Sequence, residues 1–149
     1  METQSDFSDL LQAFNDARVK YLIVGGHAVA LHGHPRATKD LDVFIEPSVE
    51  NAHRAHAALG AFGAPLDRLT VNDLCDPDTI FQIGVPPLRI DVMPSISGLT
   101  FEEAWASRIE ARYGGVPVSV IGRDALIMNK AATGRLQDLA DIEALQRRH

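Results

Sequence analysis

The sequence predicts an α/β (α+β) fold: a small mixed sheet flanked by helices, with a helical pair at the C-terminus. Three stretches carry that expectation. Residues 21–46, YLIVGGHAVALHGHPRATKDLDVFIE, run from an apolar strand through a glycine pair into a short helical piece, a polar turn and a second strand. Residues 79–93 place two more strand-like segments on either side of Pro86-Pro87, and residues 124–147 hold two helical patterns parted by Gly134. Short apolar runs rich in β-branched and aromatic residues, bounded by turn signals, read as buried strands, whereas apolar residues at i, i+3, i+4 and i+7 read as helices.

Taken in order, residues 5–18 form the first expected helix. Phe7, Leu10, Leu11 and Phe14 make one apolar stripe, and Ser5 is the N-cap. The strand 21–24, the short helix 27–31 and the strand 40–45 follow. Ser48 caps a helix over 49–59, where His53 and His56 stand at i, i+3. That spacing suits zinc, but with no cysteine or third ligand nearby the reading is a solvated face. Residues 61–78 are turn-rich, with one helical piece at 71–74.

The strands 79–85 and 88–93 are expected to pair as an antiparallel hairpin, because a tight Pro-Pro connection cannot carry a parallel crossover. Residues 101–107 read as a helix capped by Thr100, with Trp105 as a core anchor. The segments 108–113 and 116–121 form a second hairpin across Gly114-Gly115. In the closing helices, 124–133 and 136–147, the expected apolar positions are Ala125, Leu126, Met128 and Ala132, then Leu136, Leu139 and Ile142.

At 149 residues the chain has room for one domain with a real core, expected over 1–149. No window is apolar enough to span a membrane, and the first residues, METQSDFSDLL, lack the basic-then-apolar pattern of a signal peptide. Cys75 is the single cysteine, so no intrachain disulfide forms, which fits a reducing, cytoplasmic setting. A formal charge of −6 works against a protein that tracks nucleic-acid phosphates, although RNA is compatible if part of that charge holds metal.

The chemistry concentrates in three places. Gly25-Gly26 stands where a strand hands over to a helix, so the backbone can approach a ligand and the helix start favours an anion; a purely structural turn is the alternative. Asp40 and Asp42 share one face of a strand whose other face carries Leu41, Val43 and Ile45. Two carboxylates so placed repel each other unless a cation lies between them, and oxygen ligands suit Mg²⁺; a solvated strand end is the alternative. Asp91 shares a strand face with Arg89 and Met93. Set beside the Asp40/Asp42 strand, it completes a three-carboxylate cage of the kind that supports two-metal phosphoryl or nucleotidyl transfer. Pairing of Asp91 with Arg89 is the competing account.

A hydrophobic strand, Gly25-Gly26, a spacer, Asp40-x-Asp42 and a later strand Asp91 together resemble the DNA polymerase β-like nucleotidyltransferase superfamily. The run GGHAVALHGHPRATKDLDVFIE is most similar to its small bacterial branch related to the abortive-infection (type IV toxin–antitoxin) nucleotidyltransferases. The resemblance implies a nucleoside triphosphate substrate with Mg²⁺ (or Mn²⁺), an acceptor hydroxyl on tRNA, a protein or a small molecule, and a role in a toxin–antitoxin or phage-defence system. It assigns Asp40, Asp42 and Asp91 to metal binding and catalysis, and Gly25 and Gly26 to the phosphates. One departure matters: relatives often have Gly-Ser where this chain has Gly25-Gly26, which leaves His27 to take the role of the hydroxyl or none. Retention of all three carboxylates favours an enzyme over a catalytically silent binding module that acts as a toxin or antitoxin partner protein.

Arg36, Thr38 and Lys39, in the turn before the carboxylates, are further candidates for shaping the nucleotide site; His32 and His34 read as surface or turn residues. Lys130 either contacts phosphate or, with Arg135, Asp138 and Asp141, locks the two last helices together by ion pairs. Relatives often carry Lys just before the first of these aspartates, where this chain has Gln137.

Overall fold

Strands form where the chain alternates or runs apolar, and helices form where the period lengthens. A computed structural model describes residues 3–35, 37–85 and 88–147. It contains α1 (Thr3–Asp16), β1 (Tyr21–Val24), α2 (Gly25–Leu31), β2 (Leu41–Ile45), α3 (Val49–Phe62), β3 (Phe81–Val85) and β4 (Leu88–Met93). These are followed by α4 (Phe101–Ala106), β5 (Ile109–Tyr113), β6 (Val116–Val120), α5 (Arg123–Thr133) and α6 (Leu136–Gln146), and a single 3₁₀ turn occupies Asn72–Cys75.

The strands make one mixed sheet of order β3-β4-β2-β1-β6-β5. β3 and β4 pair antiparallel, as do β5 and β6, so both expected hairpins are present. Both glycines of the second turn take positive φ, 53° at Gly114 and 84° at Gly115, the conformation a two-residue hairpin of this hand requires. β1 lies antiparallel to β2, with Val24 opposite Asp42, and parallel to β6. The pairing that positions the chemistry is β2 with β4. These strands are parallel and in register, Leu41 with Ile90 and Asp42 with Asp91.

Leu10, Leu11 and Phe14 of α1 are wholly buried beside Leu22, Ile23, Leu41 and Val43 of the central strands. Each side chain removed from water in this way stabilises the fold by about 1.5–3 kcal/mol. α1 packs on α3, whose Ala52, Ala55, Ala58 and Leu59 give it a small-residue face. Ser48 caps α3 by accepting from the Asn51 amide at 3.2 Å. Thr100 and Glu103 form a reciprocal capping box on α4.

One polar side chain sits inside this apolar assembly. Asn51 is completely buried; its Oδ1 accepts from the Lys20 amide at 2.7 Å, and its Nδ2 donates to the carbonyls of Lys20 (3.0 Å) and Glu46 (2.9 Å). It thereby joins the residue before β1 to the residue after β2. The sequence signal was a lone amide on the apolar face of α3.

Two expectations are corrected. Trp105 is half-buried rather than a core anchor. It stacks on Phe101, with the Arg108 guanidinium 3.9 Å from its ring centre, and Phe101 is the residue that enters the core. On α6 the apolar stripe faces outward: Leu136 is 87% and Leu139 53% exposed, while Asp138, Asp141 and Leu145 are buried. On α5 Met128 is likewise exposed. The reason is electrostatic, because the buried face of α6 meets the Lys130 ammonium and the carboxylates turn towards it.

Replacing Asn51 with Ala leaves the Lys20 amide and the Glu46 carbonyl without their partner, while the Lys20 carbonyl keeps its bond from the Glu46 amide at 3.2 Å. Each such group costs about 1–3 kcal/mol. Asn51→Ala is therefore expected to lower unfolding free energy by at least ~2 kcal/mol in urea titrations; a loss below ~0.5 kcal/mol would show that water replaces the amide there.

Candidate active site

The parallel pairing of β2 and β4 brings Asp42 and Asp91 opposite each other, and Asp40 lies one residue ahead of β2. Strand parity, which puts Asp40 and Asp42 on one face and Arg89 and Asp91 on another, thus becomes one cluster. Its third wall is Gly25, the first residue of α2. Gly25 has φ +70°, and a Cβ added there would strike the Asp42 carboxyl. Both expected glycines fall inside α2 rather than before it. The first is glycine because the Asp42 side chain occupies the space a side chain would need.

Crowding shows in the ionisation of Asp42. Burial first, and then the Asp91 and Asp40 carboxylates, push its pKa up from 3.8 to about 6, while Lys130 and Arg89 pull the other way. Arg89 is the cation bonded directly to the other two carboxylates. Its Nε donates to Asp91 Oδ1 at 2.9 Å, and its Nη2 reaches Asp91 Oδ2 at 3.3 Å and Asp40 Oδ2 at 3.2 Å. The open cage anticipated from the sequence is therefore bridged by a guanidinium. Among the described residues no three His, Cys, Asp or Glu side chains stand ready to hold a metal ion. The donor set nevertheless fits a hard divalent cation, being all carboxylate and crowded enough to raise one pKa.

A second charge cluster lies within electrostatic reach of Asp42. Lys130 on α5 is buried, with Nζ 2.8 Å from Asp141 Oδ2 and 3.4 Å from Asp138 Oδ1 of α6. Burial pushes the Asp138 carboxyl up, but hydrogen bonds from Arg135 and Thr133 outweigh it and hold the group well below the usual carboxylate range. Lys130 makes the contacts expected of an ion-pair lock between the last two helices. Its ammonium is given to the two aspartates, and it acts on Asp42 through its field. Arg135, which caps α6 through Asp138, feels the Asp42 charge in turn.

The other sequence candidates fall as follows. His27 packs its ring edge-on between Phe7 and Tyr113, each 5.5 Å away. Thr38 is half-buried, with its hydroxyl 3.5 Å from the Asp40 carbonyl, and Lys39 is exposed. Arg36 lies outside the described residues. His32 does more than line a turn: its Nε2 donates to the Ile121 carbonyl at 2.8 Å, tying the end of α2 to the chain leaving β6. His56 donates to the Leu69 carbonyl at 3.0 Å, so the zinc spacing on α3 serves packing. A separate groove of about 1010 Å³ lies between α1, α3 and the β3–β4 hairpin, walled by Phe7, Phe62, Ile83 and Ile90 with Asp6 and Asp9. It shares no residue with the carboxylate cluster.

Two outcomes are expected from this geometry. Gly25→Ala forces a side chain onto the Asp42 carboxyl at positive φ, and should cost more than ~1 kcal/mol in denaturant titrations; an unchanged midpoint would show that α2 can shift aside. The second concerns pH. The raised pKa of Asp42 means the folded protein binds a proton that the unfolded chain gives up at 3.8, so the metal-free protein loses stability as pH rises from about 4 through about 6. Asp42→Asn should flatten that part of a melting-temperature profile recorded in EDTA, and an identical slope in both proteins would exonerate Asp42.

Solved structures show the same fold. The solution structure of the antibiotic-resistance factor ANT(2'')-Ia matches with TM-score 0.66 at 17% identity, over 95% of this chain and 81% of its own. The crystal structure of ANT(2'')-Ia in complex with adenylyl-2''-tobramycin gives 0.65 at 17%, over 95% and 86%. The lincomycin-bound lincosamide antibiotic adenylyltransferase LnuA gives 0.61 at 14%, over 95% of each chain. At such identities the likeness is one of fold. No curated protein matches the sequence significantly. A family model does, over residues 4–146, and with that span nearly the whole chain belongs to the family described as Nucleotidyltransferase of unknown function (DUF6036).

Proposed function

We propose that the protein is a divalent-metal-dependent nucleotidyltransferase that moves a nucleoside monophosphate from a nucleoside triphosphate to an acceptor hydroxyl. The observation that carries this reading is the register of β2 with β4. It sets Asp42 against Asp91, with Asp40 beside them and Gly25 packed under Asp42, in a chain whose family is nucleotidyltransferase. Asp40, Asp42 and Asp91 are the residues that would hold Mg²⁺ or Mn²⁺, and the ion would supply charge neutralisation at the transferring phosphate and acidify the acceptor hydroxyl. Charge supports the reading. The named carboxylates Asp40, Asp42, Asp91, Asp138 and Asp141 face the cations Arg89, Lys130 and Arg135, an excess of two negative charges that one divalent ion would offset.

In the proposed reaction the acceptor oxygen forms a bond to the α-phosphorus and the bond from that phosphorus to the pyrophosphate oxygen breaks. Asp91 takes the hydroxyl proton and passes it to solvent. In this reading the backbone amides of Gly25 and Gly26 would donate to phosphate oxygens, Gly25 packing against the Asp42 side chain, and Thr38 and Lys39 precede the same carboxylates. The acceptor is a hydroxyl on a small molecule, a tRNA or a protein. The small molecule is the first to try, because fold neighbours include an adenylyltransferase of lincosamides and a protein crystallised with adenylyl-tobramycin. A place in a toxin–antitoxin or phage-defence system, in the cytoplasm, extends the same reading.

The test is to incubate the protein with each α-labelled nucleoside triphosphate, Mg²⁺ and separate acceptor pools of antibiotics, tRNA and cell protein, then to follow label transfer and pyrophosphate release. One pool is expected to take up label. Asp91→Ala should retain triphosphate binding while transfer falls by two or more orders of magnitude, upwards of ~2.7 kcal/mol of transition-state stabilisation. Retention of a tenth of the activity would return Asp91 to a structural role. Nucleotide binding without transfer to any pool would favour the silent binding module.

A further inference from the structure

The geometry points to Arg89 as a built-in counter-ion that occupies the metal position of the carboxylate cluster and must be displaced before a divalent cation binds. The inference rests on the carboxylates being a metal site, and adds a residue to that site which the three aspartates alone do not imply. A structural Arg–Asp pair on a strand surface needs one partner. Arg89 has two, from different parts of the chain: Asp91 two residues on along β4, and Asp40 just ahead of β2. Its Nε and Nη2 engage three of the four carboxylate oxygens those residues offer, at 2.9, 3.2 and 3.3 Å. Asp42 lies between these two aspartates in sequence and register, and feels both carboxylates as well as the guanidinium.

Each of these oxygens keeps a second lone pair, so the hydrogen bonds alone do not bar an ion; the bar is the guanidinium itself, a positive charge seated 2.9–3.3 Å from three of the oxygens that a shared cation would approach. The Arg89 side chain is 28% exposed, so it has room to turn outward without unpacking the core. The fork holds the repelling Asp40 and Asp91 carboxylates together beside Asp42. A divalent ion, with twice the charge in a far smaller volume, takes its place. Arg89 therefore sets a threshold for metal. It lowers the affinity for the free ion and favours an ion that arrives with an anionic ligand, towards which the released guanidinium can turn.

The experiment is direct titration with Mn²⁺, without nucleotide, followed by calorimetry and by the paramagnetic signal of the free ion. Arg89→Gln removes the competitor and is expected to bind Mn²⁺ roughly tenfold more tightly than wild type, the factor that ~1.4 kcal/mol of relieved competition gives. Its melting temperature should fall in EDTA and recover with Mn²⁺. Arg135→Gln is the control for a general field effect, since Arg135 is also a cation near Asp42 but pairs with Asp138; it should change Mn²⁺ affinity by less than about twofold, as a screened charge that touches none of the three carboxylates does. If Arg89→Gln fails to fold, Arg89→Lys, which keeps the charge but loses the fork, is read by the same criterion. Mn²⁺ affinity that stays level or falls in the Arg89 variant overturns the counter-ion role, as does an equal gain in the Arg135 variant. Absence of Mn²⁺ binding in every protein overturns the metal reading itself, and Asp42→Asn binding as tightly as wild type does the same.

Discussion

Asp42 faces Asp91 across two hydrogen-bonded parallel strands, and most of the surrounding arrangement follows from having to hold those two negative charges together. Adjacent residues on paired strands are close enough that like charges destabilise the pair. The chain answers with cations on two sides. Arg89 spans Asp91 and Asp40 directly, and Lys130 and Arg135 lie within electrostatic reach from the α5–α6 pair. Even so, Asp42 remains harder to ionise than an ordinary carboxyl. A fold selected for stability alone would place an apolar pair at this register, as it does one step further along at Val43 and Val92. Charge crowding of this kind is a mark of a functional site.

The same constraint explains Gly25. The residue is needed because the Asp42 carboxyl occupies its side-chain position, and the left-handed backbone turns the chain from β1 into α2 without a Cβ. One glycine therefore sets both the direction of α2 and the orientation of Asp42. The Asn51 amide does comparable work at the other end of these strands, fixing where β1 begins and β2 ends. The pairing of Val24 with Asp42 follows from that register.

Much of this was legible in the sequence because strand parity is a local property. Asp40 and Asp42 on one face, Asp91 flanked by Ile90 and Val92, and the two hairpins all follow from a period of two and from turn residues. The adjacency of β2 and β4 was assumed rather than read, since more than forty residues separate the two strands and nothing local specifies which edge β4 takes. Helix α6 was legible only in part: the ion-pair lock was one of its two readings, but its apolar stripe is not the face that is buried. Leu136, Leu139 and Ile142 form the stripe that hydrophobic periodicity selects, yet the buried face carries Asp138 and Asp141, because a buried ammonium on α5 outweighs leucine burial once it must be neutralised. Periodicity counts apolar side chains and is blind to a charge on a neighbouring helix. The reach of Arg89 to Asp40 was hidden in the same way, being a contact across strands.

The two faces of α6 also separate what holds the helical pair from what it shows to solvent. Its attachment is polar: Lys130 between two aspartates, Arg135 and Thr133 on Asp138, and the Arg123 Nε on the Leu145 carbonyl at 2.7 Å. Breaking one partner of such a buried set costs several kcal/mol, because the remaining charge is stranded, whereas hydrophobic contacts fail more gradually. The two helices are thus held in a narrow range of positions relative to each other, and the charge of Asp42 is part of the field at Arg135. A change of charge at the carboxylate cluster, by protonation or by a bound cation, alters the field on Arg135 without any movement of the sheet. Arg135 also caps α6 through Asp138, so the helix start and the carboxylate cluster share one electrostatic balance. An apolar joint in the same place would hold the helices equally well and sense nothing.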